Sequence, residues 1–487
     1  MVVPYNNTSY LCIILMLTIV MNNALYEETY SRVVEPIYGE KRDIDTDEEL
    51  GGDIGLHDLS VTTRVDMTKY ETYSIDPPGC TDADDAFSIY FENDKMYMAI
   101  HIADPTEYIP LQSNLWRDIY KRITTKYPSN RPPIHMMHHN VLSLSSLQGD
   151  EHGCVKKAIT VVSEIDVETY QAINGIKLLF TQIYVKRENA YTYQEASNDL
   201  ERNEVFMHGI KISKVLKAKR TTLTKGAKLS DVNASYMVYD KDYVYLTTDS
   251  EGKKQMKEMI GEFAIFANSF VGEYLKIHLN TGIFRCCNAS NWLKNVYDDI
   301  SGPELLHEII MNGIKAEYLS HITPHDLVGM PEYCHFTSPI RRLADCVCHY
   351  LLKYIHQKND TPINAPFTEN ELETLASLCL TATKKEKKHQ YLDTKFRLLQ
   401  VMHNMLLRGE NLCLMYYITG YSGLFLNIII NRINHFNVHM SYTLRVRSYN
   451  KPIDPKLVFS VNITCVNCFT KFDENTLPEL DAQVLYT

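Results

Sequence analysis

The chain has 487 residues, a formal net charge of −11 and 45% hydrophobic residues. This length allows two to four domains with a large core, and the hydrophobic fraction excludes a disordered chain. The negative charge excludes a generally basic nucleic-acid-binding surface, so any nucleic-acid path must be a local basic channel. The twelve cysteines lack the spacing of a disulfide framework, which favours a reducing, intracellular compartment.

Residues 1–54 are predicted to form an N-terminal extension. Its apolar run, Leu11 to Met21, is too short to span a bilayer as a helix. A signal-peptide core is the alternative, but no basic residue precedes the run and no clear cleavage site follows it. We therefore expect a packing helix or a partner-binding helix, with neither membrane insertion nor secretion. The acidic stretch from Asp43 to Asp53 is typical of a linker.

Four carboxylates then fall within ten residues, at Asp76, Asp82, Asp84 and Asp85. A strand-like segment lies on each side, and a Pro-Pro-Gly tripeptide breaks the backbone, so the acids are predicted on or beside a loop between strands. Carboxylates this close repel each other, and a bound cation relieves the repulsion. Oxygen ligands suit Mg²⁺ or Mn²⁺ better than zinc. On spacing alone, a metal site and a solvated acidic turn remain equally open.

Two helical segments follow. The most basic segment runs from Lys211 to Lys228, and we expect Gly226 to end its helix. Residues 254–277 predict an amphipathic helix, with Glu262 at the edge of the apolar stripe, where a charged group needs a partner. From about residue 410 onward, short strand-like runs predict a β-domain.

Another helix is predicted to begin at Ser338 as N-cap, with Pro339 as its first residue. Arg341 and Arg342 would then lie beside the positive end of that helix, which suits a phosphate group. The alternative is a purely structural pairing of Arg341 with Asp345 four residues later.

Two strings in the chain match a known pattern. Residues 76–86, Asp-Pro-Pro-Gly-Cys-Thr-Asp-Ala-Asp-Asp-Ala, resemble the active-site motif of the RNB family of exoribonucleases, the ribonuclease II and R family. The Pro-Pro-Gly-Cys-Thr variant is most similar to the hydrolytic catalytic subunit of the eukaryotic RNA exosome. Residues 335–342, His-Phe-Thr-Ser-Pro-Ile-Arg-Arg, match the second signature of the family. The resemblance extends from about residue 58 to 410.

The resemblance implies a domain organisation. Residues 55–408 would form a mixed α/β RNB catalytic domain, with a central sheet surrounded by helices and a narrow channel for one RNA strand. Residues 409–487 would form a degenerate OB-type β-barrel. Members of the family usually carry two cold-shock-type OB domains before the catalytic domain, and residues 1–54 are too few to form them.

The resemblance also implies an activity, a 3′→5′ hydrolytic exoribonuclease that depends on Mg²⁺, with Mn²⁺ as alternative, and degrades single-stranded RNA to nucleoside 5′-monophosphates. The metal ligands would be Asp76, Asp82, Asp84 and Asp85, with Asp84 as the essential acid and Arg341 on the scissile phosphate. The implied RNA contacts are Tyr127, Tyr193, Arg220, Glu262, Arg341 and Glu386.

Each implied RNA contact has a structural alternative. Without the resemblance, Tyr127 would be a buried loop tyrosine, and Arg220 and Glu386 would belong to solvated charge runs. The alternative function is a catalytically inactive RNB-like RNA-binding protein. We expect a monomeric catalytic unit in the cytoplasm or nucleus, with the N-terminal extension as the surface for any protein complex.

Overall fold

The computed structural model describes residues 7–39, 44–228, 235–240, 243–297, 299–300, 302–358, 362–422, 425–445, 457–463 and 479–481. The helices are α1 (Asn7–Val33), α2 (Glu35–Tyr38), α3 (Ile44–Gly51), α4 (Asn114–Arg122), α5 (His139–Ser145), α6 (Tyr193–Asp199), α7 (Glu204–Thr222), α8 (Glu251–Leu279), α9 (Asn291–Val296), α10 (Gly302–Met311), α11 (Leu343–Gln357) and α12 (Glu369–Leu407). Short 3₁₀ turns cover Pro105–Glu107 and Arg187–Asn189.

The strands are β1 (Val65–Asp66), β2 (Ser74–Asp76), β3 (Asp85–Glu92), β4 (Lys95–Ala103), β5 (Cys154–Ile165), β6 (Ala172–Val185), β7 (Ala190–Thr192), β8 (Tyr236–Asp240), β9 (Tyr243–Thr247), β10 (Phe284–Cys287), β11 (Ala316–Leu319), β12 (Leu412–Ser422), β13 (Phe425–Ile433), β14 (Phe436–Arg445), β15 (Val458–Ile463) and β16 (Glu479–Asp481).

A five-stranded sheet, in the order β1-β6-β5-β4-β3, lies at the centre of the first half of the chain. Strands β3 to β6 pair antiparallel, and β1 pairs parallel with β6. Asn93 and Asp94 take left-handed φ values of 52° and 60° in the tight turn between β3 and β4, which these residue types tolerate. Helix α7 packs against β3, and α8 packs against β4 and α11. The predicted mixed α/β architecture, a central sheet surrounded by helices, is confirmed.

The second sheet has the order β15-β12-β13-β14-β16 and contains most of the described residues after α12. Its pairs are antiparallel except β14 with β16. Ile428, Ile430 and Leu444 are buried from this sheet in one core with Phe396 and Leu399 of α12. A five-stranded, mainly antiparallel sheet is consistent with the predicted OB-type fold.

The N-terminal extension packs against the rest of the molecule. The apolar run lies within α1, and Tyr26 and Tyr30 of that helix make edge-to-face contacts with Phe396 of α12. No helix of the described residues is long and apolar enough to cross a membrane. The linker predicted over residues 43–53 is wrong, because part of it is α3, whose Leu50 is buried in the main core. The Asp53 carboxylate accepts the first free N–H groups of α4.

Candidate active site

The four acids lie where the sequence predicts them, around a loop between two strands. Asp76 ends β2 and Asp85 begins β3, with Asp82 and Asp84 on the loop between them. Gly79 turns this loop with a left-handed φ of 76°, a conformation that a side chain disfavours. Because β2 pairs with β7 and β3 belongs to the central sheet, both ends of the loop are held by paired strands.

Asp84 connects this loop to the arginine turn. Its carboxylate is buried, with one oxygen accepting the backbone N–H of Ile340 at 2.8 Å and the other accepting Nε of Arg341 at 2.8 Å. Burial raises the pKa of Asp84 to about 7, an effect that the Arg341 charge and the Ile340 N–H oppose. Asp84 therefore orients Arg341 directly.

The structure also places Asp76 and Asp85 close together. Burial, with the nearby charge of Asp84, raises the pKa of Asp76 to about 6, and burial with the charge of Asp76 raises that of Asp85 to about 7. Oδ2 of Asp76 is buried without a hydrogen-bond partner. These carboxylates are held closer to one another than their charges favour.

Asp82 and Tyr127 face each other across the site. The Tyr127 hydroxyl donates to Oδ2 of Asp82 at 3.4 Å, and the Cys80 thiol donates to Oδ1 at 3.4 Å. The Tyr127 side chain is 38% exposed, so its ring is available for stacking. Tyr193 begins α6, and burial together with the charges of Asp85 and Asp76 raises its pKa. Both tyrosines therefore lie beside the acids.

The aspartate oxygens at this site are chemically suited to bind a divalent metal ion. Among the described residues, no three His, Cys, Asp or Glu side chains form a ready-made metal cage. The oxygens of Asp76, Asp82 and Asp85 are nevertheless the donors that Mg²⁺ or Mn²⁺ prefers, and the unsatisfied Oδ2 of Asp76 is a free ligand position. A cation here would offset the burial and the carboxylate repulsion that together raise the pKa values of Asp76 and Asp85.

The predicted helix start at Ser338 is wrong, since α11 begins at Leu343. Residues 339–341 form a turn instead, because the N–H groups of Arg341 and Arg342 both donate to the Ser338 carbonyl and that of Ile340 is taken by Asp84. The structural alternative for Arg341 was a pairing with Asp345. Arg342 makes this pairing instead, with its Nη2 at 2.9 Å from Oδ1 of Asp345, and Arg341 pairs with Asp84.

Arg220 and Glu262 are brought together by α7 and α8. Nε of Arg220 lies 2.8 and 3.0 Å from the two carboxylate oxygens of Glu262, and both side chains are buried. The pair lines a cavity of about 600 Å³ between the helices. No described contact joins this pair to the four acids. The charges of Arg220 and Glu262 therefore neutralise each other.

Gly226 does not end α7, which stops at Thr222. Lys225 takes the left-handed φ of 56° after the helix, and Gly226 allows a close approach to another segment. A Cβ on Gly226 would lie 2.6 Å from the carbonyl oxygen of Val328. The glycine is therefore required by packing.

Glu386 lies on α12 and lines a second cavity, of about 490 Å³, together with Arg341. It is buried, and its Oε2 has no hydrogen-bond partner. Of the residues implied by resemblance, the structure thus groups Tyr127, Tyr193 and the four acids around Arg341. It places Glu386 in a cavity that Arg341 also lines, and it pairs Arg220 with Glu262.

The sequence reasoning missed how the Tyr127 loop is held. Oδ2 of Asp393, on α12, accepts hydrogen bonds from the hydroxyls of Tyr30 at 2.7 Å and Tyr38 at 2.9 Å and from the Ser129 backbone N–H at 2.9 Å. No local pattern signals this arrangement, because Asp393 is 264 residues from Ser129 and 363 from Tyr30.

Comparison with known proteins places the chain in a family. A family model described as RNB domain matches residues 64–358, more than half of the chain. The probable exosome complex exonuclease RRP44 of Caenorhabditis elegans is 27% identical over 348 residues, which cover 59% of this chain and 34% of the relative. The chloroplastic/mitochondrial ribonuclease II of Arabidopsis thaliana is 23% identical over 334 residues, covering 66% and 40% respectively. The chain spans about half, or less, of the length of such curated relatives.

Solved structures show the same fold at 16% identity. Apo RNase R of Mycoplasma genitalium matches with a TM-score of 0.72, covering 91% of this chain and 76% of that one. The same enzyme in complex with ribose-methylated single-stranded RNA matches at 0.70, covering 88% and 74%. Yeast Ssd1, a pseudonuclease, matches at 0.61, covering 80% and 51%. The family match and these folds agree with the resemblance carried by the two motifs, and the chain belongs to the RNB family.

Proposed function

We propose that this chain is a metal-dependent 3′→5′ hydrolytic exoribonuclease that degrades single-stranded RNA to nucleoside 5′-monophosphates. The observation that carries the proposal is the contact between Asp84 and Arg341, which joins the two signature motifs across 257 residues of sequence. The RNA held by Mycoplasma genitalium RNase R and the names of the curated relatives support RNA as the substrate.

Different residues of the chain would have different roles in the hydrolysis. Asp84 and the Ser338 hydroxyl, which accept from Nε and Nη2 of Arg341, fix the orientation of its guanidinium. The remaining N–H groups would donate to the scissile phosphate, which provides a preorganised positive charge for the transition state. Tyr127 would stack on a base near the RNA 3′ end, and Tyr193 would be a second RNA contact. Mg²⁺, or Mn²⁺, held by Asp76, Asp82 and Asp85 would lower the pKa of the attacking water and offset phosphate charge.

The test is the degradation of 5′-labelled single-stranded RNA by the purified chain with Mg²⁺. We expect a ladder that shortens to a small end product, and no ladder with EDTA. Asp84→Asn keeps the shape of the side chain but removes its charge, and we expect turnover to fall at least ~10³-fold, the scale of a lost electrostatic catalytic group.

Asp94→Asn is the matched control for this variant. Asp94 is an exposed turn residue between β3 and β4, where asparagine is equally tolerated, so its turnover should equal that of the unmodified chain. Near-normal turnover in Asp84→Asn would refute the role assigned to Asp84.

The second candidate is an RNB-like protein that binds RNA without cleaving it. The match to the pseudonuclease Ssd1 favours it, as does the occupation of both Asp84 oxygens by Ile340 and Arg341. RNA binding without cleavage, unchanged in Asp84→Asn, would establish this alternative.

A further inference from the structure

A cavity of about 490 Å³ is lined in part by Arg341, and none of the four acids lines it. Its walls come from the Arg341 turn, β10, β11 and α12. This volume falls in the range of protein sites for small molecules. Of its lining residues, the proposed hydrolysis uses only Arg341.

Two arginines in this cavity carry N–H groups without partners. Arg285 of β10 is 6% exposed, its guanidinium lies over the Tyr318 ring at 4.6 Å, and Nη1 is buried without a hydrogen bond. Arg342 donates from Nη2 to Asp345, but its Nε is buried without a partner. Buried guanidinium groups with unused donors are costly unless an anion accepts from them.

The ionisable groups around the cavity respond to its burial and to the charges of these arginines. Burial, together with the charge of Arg285, lowers the pKa of His325 to about 4, and burial with the charges of Arg342 and Arg285 lowers that of His335 well below its usual value. Lys387 lines the cavity from α12, and burial, together with the charge of Arg285, lowers its pKa as well. The cavity therefore favours an anion.

A carboxylate also lines the cavity. Oε2 of Glu386 is buried without a hydrogen bond and lies 3.7 Å from Nδ1 of His389, while Oε1 accepts from Gln390. A simple anion would be repelled by this group. A ligand with hydroxyl groups as well as a phosphate would satisfy both walls, because a carboxylate accepts hydrogen bonds from ribose hydroxyls.

We propose that this cavity binds a nucleoside 5′-monophosphate, with the phosphate on Arg285 and Arg342 and a ribose hydroxyl on Glu386. The proposal rests on the proposed function, since such a nucleotide is the product that the hydrolysis releases beside Arg341. The cavity would then receive the product after cleavage. Inorganic phosphate shares the anionic chemistry, so the experiment must separate the two ligands.

The experiment is calorimetric titration of the full chain, in EDTA so that no hydrolysis occurs, with AMP, inorganic phosphate and adenosine in turn. We expect AMP to bind, phosphate to bind more weakly and in competition with AMP, and adenosine to show no measurable binding. Phosphate binding that equals or exceeds AMP binding, or the absence of AMP binding, would overturn the proposal.

Variants locate the site. Arg285→Gln should weaken AMP binding at least ~10-fold, the effect of losing a charge-assisted hydrogen-bond pair. Arg187→Gln, at a side chain that is 71% exposed and outside the cavity lining, should bind AMP as the unmodified chain does. Unchanged AMP affinity in Arg285→Gln would refute the site. Loss of AMP binding in Arg341→Gln but not in Arg285→Gln would also refute it, because the nucleotide would then bind to Arg341.

The variant Glu386→Gln distinguishes the loss of a ligand contact from a general effect on folding. It should weaken AMP binding while leaving phosphate binding equal or stronger, because the carboxylate contacts ribose and repels phosphate. A parallel loss of both ligands would contradict the arrangement. Binding needs no turnover, so an inactive chain that still binds AMP through Arg285 would refute the proposed function and leave this site intact. An active chain that does not bind AMP would refute this site and leave the proposed function intact.

Discussion

At the scale of single residues, Lys395 shows what burial does to a charge. Its side chain is fully buried on α12, its ammonium has no hydrogen-bond partner, and the rings of Tyr442 and Tyr391 lie 4.8 and 5.8 Å away. Burial lowers the pKa of Lys395 to about 7. The unfolded chain, with a lysine pKa of about 10.4, binds more protons between pH ~7 and ~10. The free energy of unfolding should therefore rise with pH across this window.

Lys395→Met tests this pH dependence. At pH 6, where the buried ammonium is charged, the variant should be more stable than the unmodified chain by at least about 1 kcal/mol, since one pKa unit corresponds to ~1.4 kcal/mol. The difference should shrink by pH 9.5, as measured by urea unfolding. Lys388→Met, at an exposed position of the same helix, should change neither value. An equal difference at both pH values would contradict the lowered pKa.

Single residues also show that predicting which residues are functional differs from predicting which residues contact each other. The resemblance implied separate roles for Asp84 and Arg341, and the structure joins the two side chains at 2.8 Å. Arg285, in contrast, is one arginine in a short buried strand, with no motif around it. Its importance becomes visible only when Arg342 and Glu386 are found in the same cavity. A sequence pattern cannot report which distant donors remain unpaired.

At the scale of elements, α1 and α2 hold the loop that carries Tyr127. Besides the Asp393 contacts, Glu35 pairs with Arg131 at 3.0 Å, and Lys126 donates to the Tyr38 carbonyl at 2.7 Å. The extension therefore fixes residues on both sides of Tyr127. This is a packing role within the chain, in addition to any contact with a partner protein.

The double variant Tyr30→Phe, Tyr38→Phe tests this role. It removes two buried hydrogen bonds to Asp393, which should lower the free energy of unfolding by about 1–3 kcal/mol. Because the Tyr127 loop loses its support, KM for RNA should rise several-fold while kcat changes less. Steady-state degradation of short RNA measures both constants.

Tyr26→Phe is the matched control, on the same helix and hydrogen-bonded to His403 instead. We expect about half the loss of stability, because one hydrogen bond is removed instead of two, and an unchanged KM. Equal effects of both variants on KM would show that α1 acts only through general stability.

Two helix predictions failed at this scale for one reason. The start of α11 and the end of α7 were predicted from Pro339 and Gly226, whose residue types are common at helix ends. In the structure, Asp84 takes the Ile340 N–H, and Val328 requires the close approach at Gly226. Contacts from distant segments thus override local helix signals.

At the scale of the whole molecule, the acidic loop joins the central sheet to the Arg341 turn, so a cation there should stabilise the fold. At a concentration 100 times Kd, binding to the native state alone adds about 2.7 kcal/mol. We expect Mg²⁺ to raise the Tm of the metal-free chain by several degrees in calorimetry, and Asp85→Asn to lose most of that rise. Asp94→Asn should retain it. A similar rise with NaCl at equal ionic strength would show general screening instead of a site.

The sequence by itself determined the family, the mixed α/β architecture, the position of the acidic loop between two strands and the C-terminal β-rich part. The family and the architecture follow from the resemblance that the two motifs carry. The loop position and the β-rich part follow from residue periodicity and turn-forming residues that are local in the chain. Only the tertiary structure decided that Asp84 orients Arg341, that Arg220 neutralises Glu262, that α1 holds the Tyr127 loop, and that Arg285 and Arg342 share a cavity. Each of these depends on hydrogen bonds or charges between segments distant in sequence, and such pairs are selected by packing geometry, which no local pattern encodes.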